Sequence, residues 1–103
     1  MVVFEDTFLQ YVLQMYNAAF VEYLGTALLI GAVSFTGVPV LIVAALAVAI
    51  GLGGKISGGH FNPAVTAWAL LNGKVGQAKG LLYMAAQFAA AVTIWVLGSF
   101  VKV

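Results

Sequence analysis

Cysteine and arginine are absent from this 103-residue chain, and charge of either sign is scarce. Without cysteine there are no disulfides, no thiolate nucleophile and no sulfur-ligated metal. Four lysines stand against two glutamates and one aspartate, a formal net charge of +1. So thin a balance makes no basic patch for nucleic acid, and nucleic acid is not an expected partner. One histidine and three carboxylates, spread over distant positions, provide neither a metal-ligand set nor an acid/base pair. No enzyme, cofactor or metal site is expected.

Apolar residues fill the space that charge leaves. With 64% hydrophobic and 7% charged residues and a mean hydropathy of +1.13, the composition is that of an integral membrane protein with lipid as its surroundings. The first charges are Glu5 and Asp6, not a basic cluster, so the start does not read as a secretory signal and the N-terminus is expected to be retained.

The hydrophobic pattern predicts an all-α protein in two parts. Over residues 1–17, Phe4, Phe8, Val12 and Tyr16 recur every four positions among Gln10, Gln14 and Asn17, an amphipathic helix expected to lie along the membrane interface. Residues 18–103 then hold three spans, at about 18–37, 38–54 and 81–101. Each is long enough, or nearly so, to cross a hydrocarbon core of about 30 Å. Asn17 is the expected N-cap of the first span, and Ser34, Thr36, Gly37 and Pro39 form the turn that follows it. In the third span Ala85, Ala86, Ala89 and Ala90 stand in small-xxx-small register, which permits close helix approach.

Between the second and third spans lies a segment that fits neither category. Residues 61–71 are too short to cross a bilayer and too apolar for a surface loop, as a re-entrant half-helix would be. Asn62-Pro63 is a helix start, because asparagine is among the best N-caps and proline is favoured at the first helical position. Asn72-Gly73-Lys74 is the stop, with glycine in the C-cap role and Lys74 near the negative end of the helix dipole. A helix that begins inside the membrane directs free N–H groups and an effective charge of about +0.5 at whatever lies there, and lipid cannot solvate them. Gly58, Gly59, His60 and Phe61, ahead of it, are expected to run extended and expose a ladder of carbonyl acceptors leading to the Asn62 amide. Such a ladder hands water along, while the dipole opposes cations.

These residues carry a resemblance. Ser57-Gly58-Gly59-His60-Phe61-Asn62-Pro63-Ala64-Val65-Thr66 closely resembles the first Asn-Pro-Ala loop of the aquaporin, or major intrinsic protein, family. Glu22-x-x-Gly25-Thr26-x-x-Leu29 and Tyr83-x-x-x-Gln87 agree with the family pattern in the first and third spans. The resemblance implies half of the aquaporin fold: three transmembrane helices plus one re-entrant half-helix. It implies that Glu22 and Gln87 anchor the loop, that Asn62, Pro63 and Ala64 form the pore motif, and that Gly58, Gly59, His60, Phe61 and Asn62 line a pore for water or small neutral solutes such as glycerol. The family's constriction position on the second span falls on Ile42. Its constriction arginine has no counterpart, since Val65 occupies the matching place after the only Asn-Pro-Ala present. A pore made of two such halves is therefore expected to discriminate poorly among small neutral solutes.

Family members carry two inverted repeats, and one is present here. The expected partner is another aquaporin-like half-repeat, from a second copy or a different chain. Lys55, Lys74 and Lys79 on one side against Lys102 on the other predict a cytoplasmic N-terminus by the positive-inside rule. The competing reading is a small non-channel membrane interaction protein, a modulator of a complete channel or a holin-like chain. Such a protein has no use for a re-entrant Asn-Pro-Ala loop.

Overall fold

In the computed structural model, which describes the backbone of residues 3–101 and the side chains of residues 7–101, the described chain is helical apart from short connections. The elements are α1 (Val3–Phe35), α2 (Pro39–Ser57), α3 (Pro63–Leu71) and α4 (Gln77–Val101). Three stretches are long and apolar enough to cross a membrane, Thr7–Phe35, Pro39–Ser57 and Gln77–Val101. The nine-residue α3 is the short helix expected between the second and third of them.

α1 departs from the expected division at residue 18. It runs through Asn17 without interruption, so residues 3–17 and the first span are one helix of 33 residues. Nothing in Tyr16-Asn17-Ala18-Ala19 stops a helix, and Asn17 is an interior residue with no capping role. At 1.5 Å per residue this helix is about 50 Å long, close to the 53 Å longest dimension of the molecule. Of the amphipathic stripe, Phe8 and Tyr16 are exposed and Val12 is half-buried, while the Phe4 side chain lies outside the described residues. Lys102 and Val103, at the expected end of the third span, also lie outside them.

α1 packs against both α2 and α4, and α3 packs on α4 alone. Ala18 and Ala19 of α1 meet Tyr83 of α4, and Glu22 meets Gln87 one turn further along both, so α1 and α4 run parallel. Gly53 of α2 faces Val21 and lies about one turn before the Ser57 carbonyl that Tyr83 contacts, at the level of Ala18 and Ala19, so α2 runs antiparallel to both. The alanines of α4 divide their work. Ala90 is fully buried and Ala86 partly so, whereas Ala85 and Ala89 stay exposed.

The N-terminus of α3 is set as the Asn-Pro pair dictates. Asn62 is extended at φ −163°, its side chain accepts from the Ala64 amide at 2.8 Å, and Pro63 takes the first helical position. At the other end Gly73, at φ +66°, closes a Schellman motif. Its N–H donates to Leu70 and that of Lys74 donates to Ala69. Lys74 then lies over the Trp68 ring at 5.6 Å.

Register fixes the depth of α3. Gln87 donates to Thr66 at 2.9 Å, and Leu70 sits against Gly80, where an added Cβ would fall 2.7 Å from it. α3 thus returns antiparallel along the first half of α4. One turn before Thr66, Asn62 comes level with about Ala90 or Ala91, near the middle of Gln77–Val101.

Candidate functional site: a loop wrapped on a buried carboxylate

Glu22 is fully buried and its two oxygens accept four hydrogen bonds. Ser57 Oγ donates to Oε2 at 2.7 Å and the His60 amide donates to the same oxygen at 3.0 Å. The Phe61 amide donates to Oε1 at 2.6 Å, and Gln87 Nε2 donates to it at 3.0 Å. Two consecutive backbone N–H groups converging on one anion form a nest, and its cost is backbone curvature. Gly58 sits at φ +93°, Gly59 at +68° and Phe61 at +51°. The expected extended run from Gly58 to Phe61 is therefore a coil around the carboxylate; Asn62 is the extended residue.

Left-handed geometry is cheap for the two glycines and unfavourable for an aromatic residue. Phe61 is held in it from both ends. Its amide is taken by Glu22, and its ring, 2% exposed, fills a slot between α1 and α2. That slot exists because Gly25 and Gly53 lack side chains. A Cβ on Gly25 would lie 2.1 Å from the ring, and one on Gly53 would lie 2.6 Å from Val21 and 3.5 Å from the ring.

A second set of bonds ties the loop to α4. The Tyr83 hydroxyl donates to the Ser57 carbonyl at 2.5 Å, at the C-terminal end of α2. His60 Nδ1 and Thr66 Oγ1 are 2.8 Å apart, and the imidazole meets Tyr83 edge-on at 5.3 Å. Ser57 Oγ also accepts from the Gly59 amide at 3.1 Å.

With the N–H groups of Gly59, His60 and Phe61 all turned to Ser57 and Glu22, the carbonyls are left over. Among the described residues nothing donates to the oxygens of Gly58, Gly59, His60 or Phe61. At the tip, the backbone N–H groups of Asn62 and Val65 and the Asn62 amide nitrogen likewise have no partner among the described residues. Four consecutive acceptors therefore end at a cluster of donors at the positive pole of α3.

The structure brings Glu22, Gln87 and Gly58 through Ala64 together, and leaves Ile42 apart. Gly59 lies against Ile50 and Gly54. Ile42, half-buried, is eight residues further along α2 from Ile50, or about 12 Å. Sequence reasoning gave no role to Ser57, Thr66 or Gly25 beyond membership in a motif, nor to Gly53. The signal available for Gly25 and Gly53 was weak, since glycine in a span is ordinary until the ring that needs the space is known. A groove of about 540 Å³ lies away from the loop, between α1 and α2, and its lining includes Gly31, Phe35, Leu41, Ala44, Ala45 and Val48. No group of His, Asp and Glu able to hold a metal occurs among the described residues.

Three span-length helices and a short helix that returns to mid-depth behind a coiled, carbonyl-rich loop define a membrane half-repeat with one re-entrant loop. The chain belongs to the major intrinsic protein family, whose family model matches residues 7–102, and it is an integral membrane protein. It is 47% identical over 53 residues to aquaporin TIP1-2 of Musa acuminata, covering 52% of this chain and 21% of that protein. To aquaporin TIP1-1 of Zea mays it is 54% identical over 43 residues, or 42% of this chain and 17% of the relative. A bacterial relative, glycerol uptake facilitator protein-like 6 of Lactiplantibacillus plantarum, is 37% identical over 84 residues, covering 69% of this chain and 37% of that protein. The chain thus spans well under half the length of these curated relatives. No solved structure matches it significantly.

Proposed function

We propose that the chain supplies one half of a passive transmembrane pore for water and small neutral solutes such as glycerol, completed by a second aquaporin-like half-repeat from another copy or a different chain. The observation that carries this reading is the row of unpaired carbonyls from Gly58 to Phe61 ending at the free donors of Asn62, at the depth of the middle of α4. Each such group costs about 2–7 kcal/mol if it faces hydrocarbon, so a row of them requires water and a protein wall around it. In this reading Gly58, Gly59, His60, Phe61 and Asn62 line the passage, Glu22 and Gln87 hold the loop in place, and Ile42 narrows the passage about two turns away along α2. The names of the curated relatives, aquaporins and a glycerol uptake facilitator, fit that class of solute. Lys55, Lys74 and Lys79 sit at the end where α4 begins, which supports an N-terminus on the cytoplasmic side.

Stopped-flow swelling of vesicles containing the chain tests this directly. Water permeability above empty vesicles, lost on Asn62→Asp with assembly retained, is the expected result. Vesicles no more permeable than lipid, together with crosslinking that captures only monomers in native membranes, would overturn it.

A further inference from the structure

The hydrogen-bond polarity around Thr66 fixes a property of His60. Thr66 Oγ1, fully buried, has two side-chain neighbours within hydrogen-bond distance, Gln87 Nε2 at 2.9 Å and His60 Nδ1 at 2.8 Å. The Gln87 amide is oriented by its contact with Glu22. Its nitrogen also lies 3.0 Å from Glu22 Oε1, and an amide oxygen placed there would oppose a carboxylate oxygen. Gln87 therefore donates to Thr66, and among the described residues the acceptor left for the Thr66 hydroxyl proton is His60 Nδ1. A nitrogen that accepts carries no proton, so the imidazole proton belongs on Nε2.

Nε2 has no partner among the described residues, yet it is absent from the buried unpaired atoms, which are Thr26 Oγ1 and Gln87 Oε1. It therefore reaches the molecular surface. It does so beside the loop, 3.8 Å from where a Gly58 side chain would begin.

We infer that His60 is held as its Nε2–H tautomer by the Glu22–Gln87–Thr66 chain, and that it presents this N–H as a fixed donor beside Gly58, whose carbonyl is unpaired among the described residues. The second clause rests on the pore reading above and sharpens its solute class. A lining of acceptors with one oriented donor suits molecules that both give and accept hydrogen bonds, water and hydroxyl groups. An ammonium ion has nothing to offer the N–H, and an aprotic solute has nothing to offer the carbonyls.

Solid-state NMR of the full chain, ¹⁵N-labelled at histidine in lipid vesicles at neutral pH, reads the assignment without reference to conduction. A protonated Nε2 with an unprotonated Nδ1 is the expected spectrum; an Nδ1–H tautomer or a doubly protonated ring would overturn the assignment. Thr66→Ser should keep the spectrum, whereas Thr66→Val and, independently, Gln87→Met should give a mixture of tautomers. An unmixed Nε2–H in both of the latter would overturn the chain as its cause. In swelling assays His60→Phe should lower water permeability about fivefold, the worth of one hydrogen bond, and unchanged permeability would overturn the donor role. Absence of swelling by the unmodified chain would overturn the pore reading, while the spectra would still decide the tautomer.

Discussion

The Phe61 amide lies 2.6 Å from Glu22 Oε1 while the Phe61 ring occupies the space where a Gly25 side chain would stand. One residue is thus gripped twice by the same helix, through its backbone at Glu22 and through its ring at Gly25, and the coil of the loop follows from that double grip.

Glu22→Gln should be among the costliest conservative substitutions. An amide has one oxygen where the carboxylate has two, and its NH₂ would face two of the four donors. Hydrogen bonds to a charged group are worth about 1.5–3 kcal/mol each, and leaving a buried donor unpaired costs a similar amount. A loss of about 3 kcal/mol in reversible unfolding in detergent is expected, and a loss below 1 kcal/mol would mean that the four bonds do not act together.

Gly25→Ala places a methyl carbon inside the Phe61 ring, and the overlap is with the body of the side chain, not a flexible end. The variant should lose about 2–3 kcal/mol by overpacking. Combining it with Phe61→Leu should recover part of that loss, and a double-mutant cycle would show the two changes to be strongly non-additive.

Tyr83→Phe removes the donor to the Ser57 carbonyl and leaves the packing of the ring against His60 in place. About 1–2 kcal/mol should be lost. Amide exchange at Gly58 and Gly59 should quicken more than exchange within α1, since the bond pins the end of α2 where the loop begins.

Asn17→Ala separates the two descriptions of the N-terminal region. As an interior residue of a continuous helix, Asn17 should be replaceable with no loss and a gain of about 0.5 kcal/mol in helix propensity. Were it a cap, the same change would cost about 1 kcal/mol.

What was legible in the sequence was whatever the local chain determines. Asn62-Pro63 starts α3 and Gly73 ends it because capping depends on a few adjacent residues, and span lengths follow from apolar runs. Asn17 misled because a good capping residue beside a hydrophobic run is the same signal whether or not the preceding turn is already helical. The coil of Gly58 to Phe61 was out of reach for a different reason. Two glycines permit extended and left-handed backbone alike, and the choice was made 38 residues earlier in the chain, by the carboxylate of Glu22. Tyr83 and Gln87 stand four apart on one helix face, a spacing visible in the sequence. That one reaches a carbonyl and the other a carboxylate depended on which helices meet.

The packing of α3 on α4 alone sets an order of assembly. As the chain is made, Glu22 enters the membrane first, and the loop that wraps it follows with α3. The surface on which α3 rests, from Gly80 to Gln87, is synthesised only afterwards. Until then the carboxylate lacks its bond from Gln87, and the half-helix has no side to lean on. The half-helix therefore gains the surface it packs on only when α4 is in place, while three of the four Glu22 bonds need nothing beyond α1, α2 and the loop.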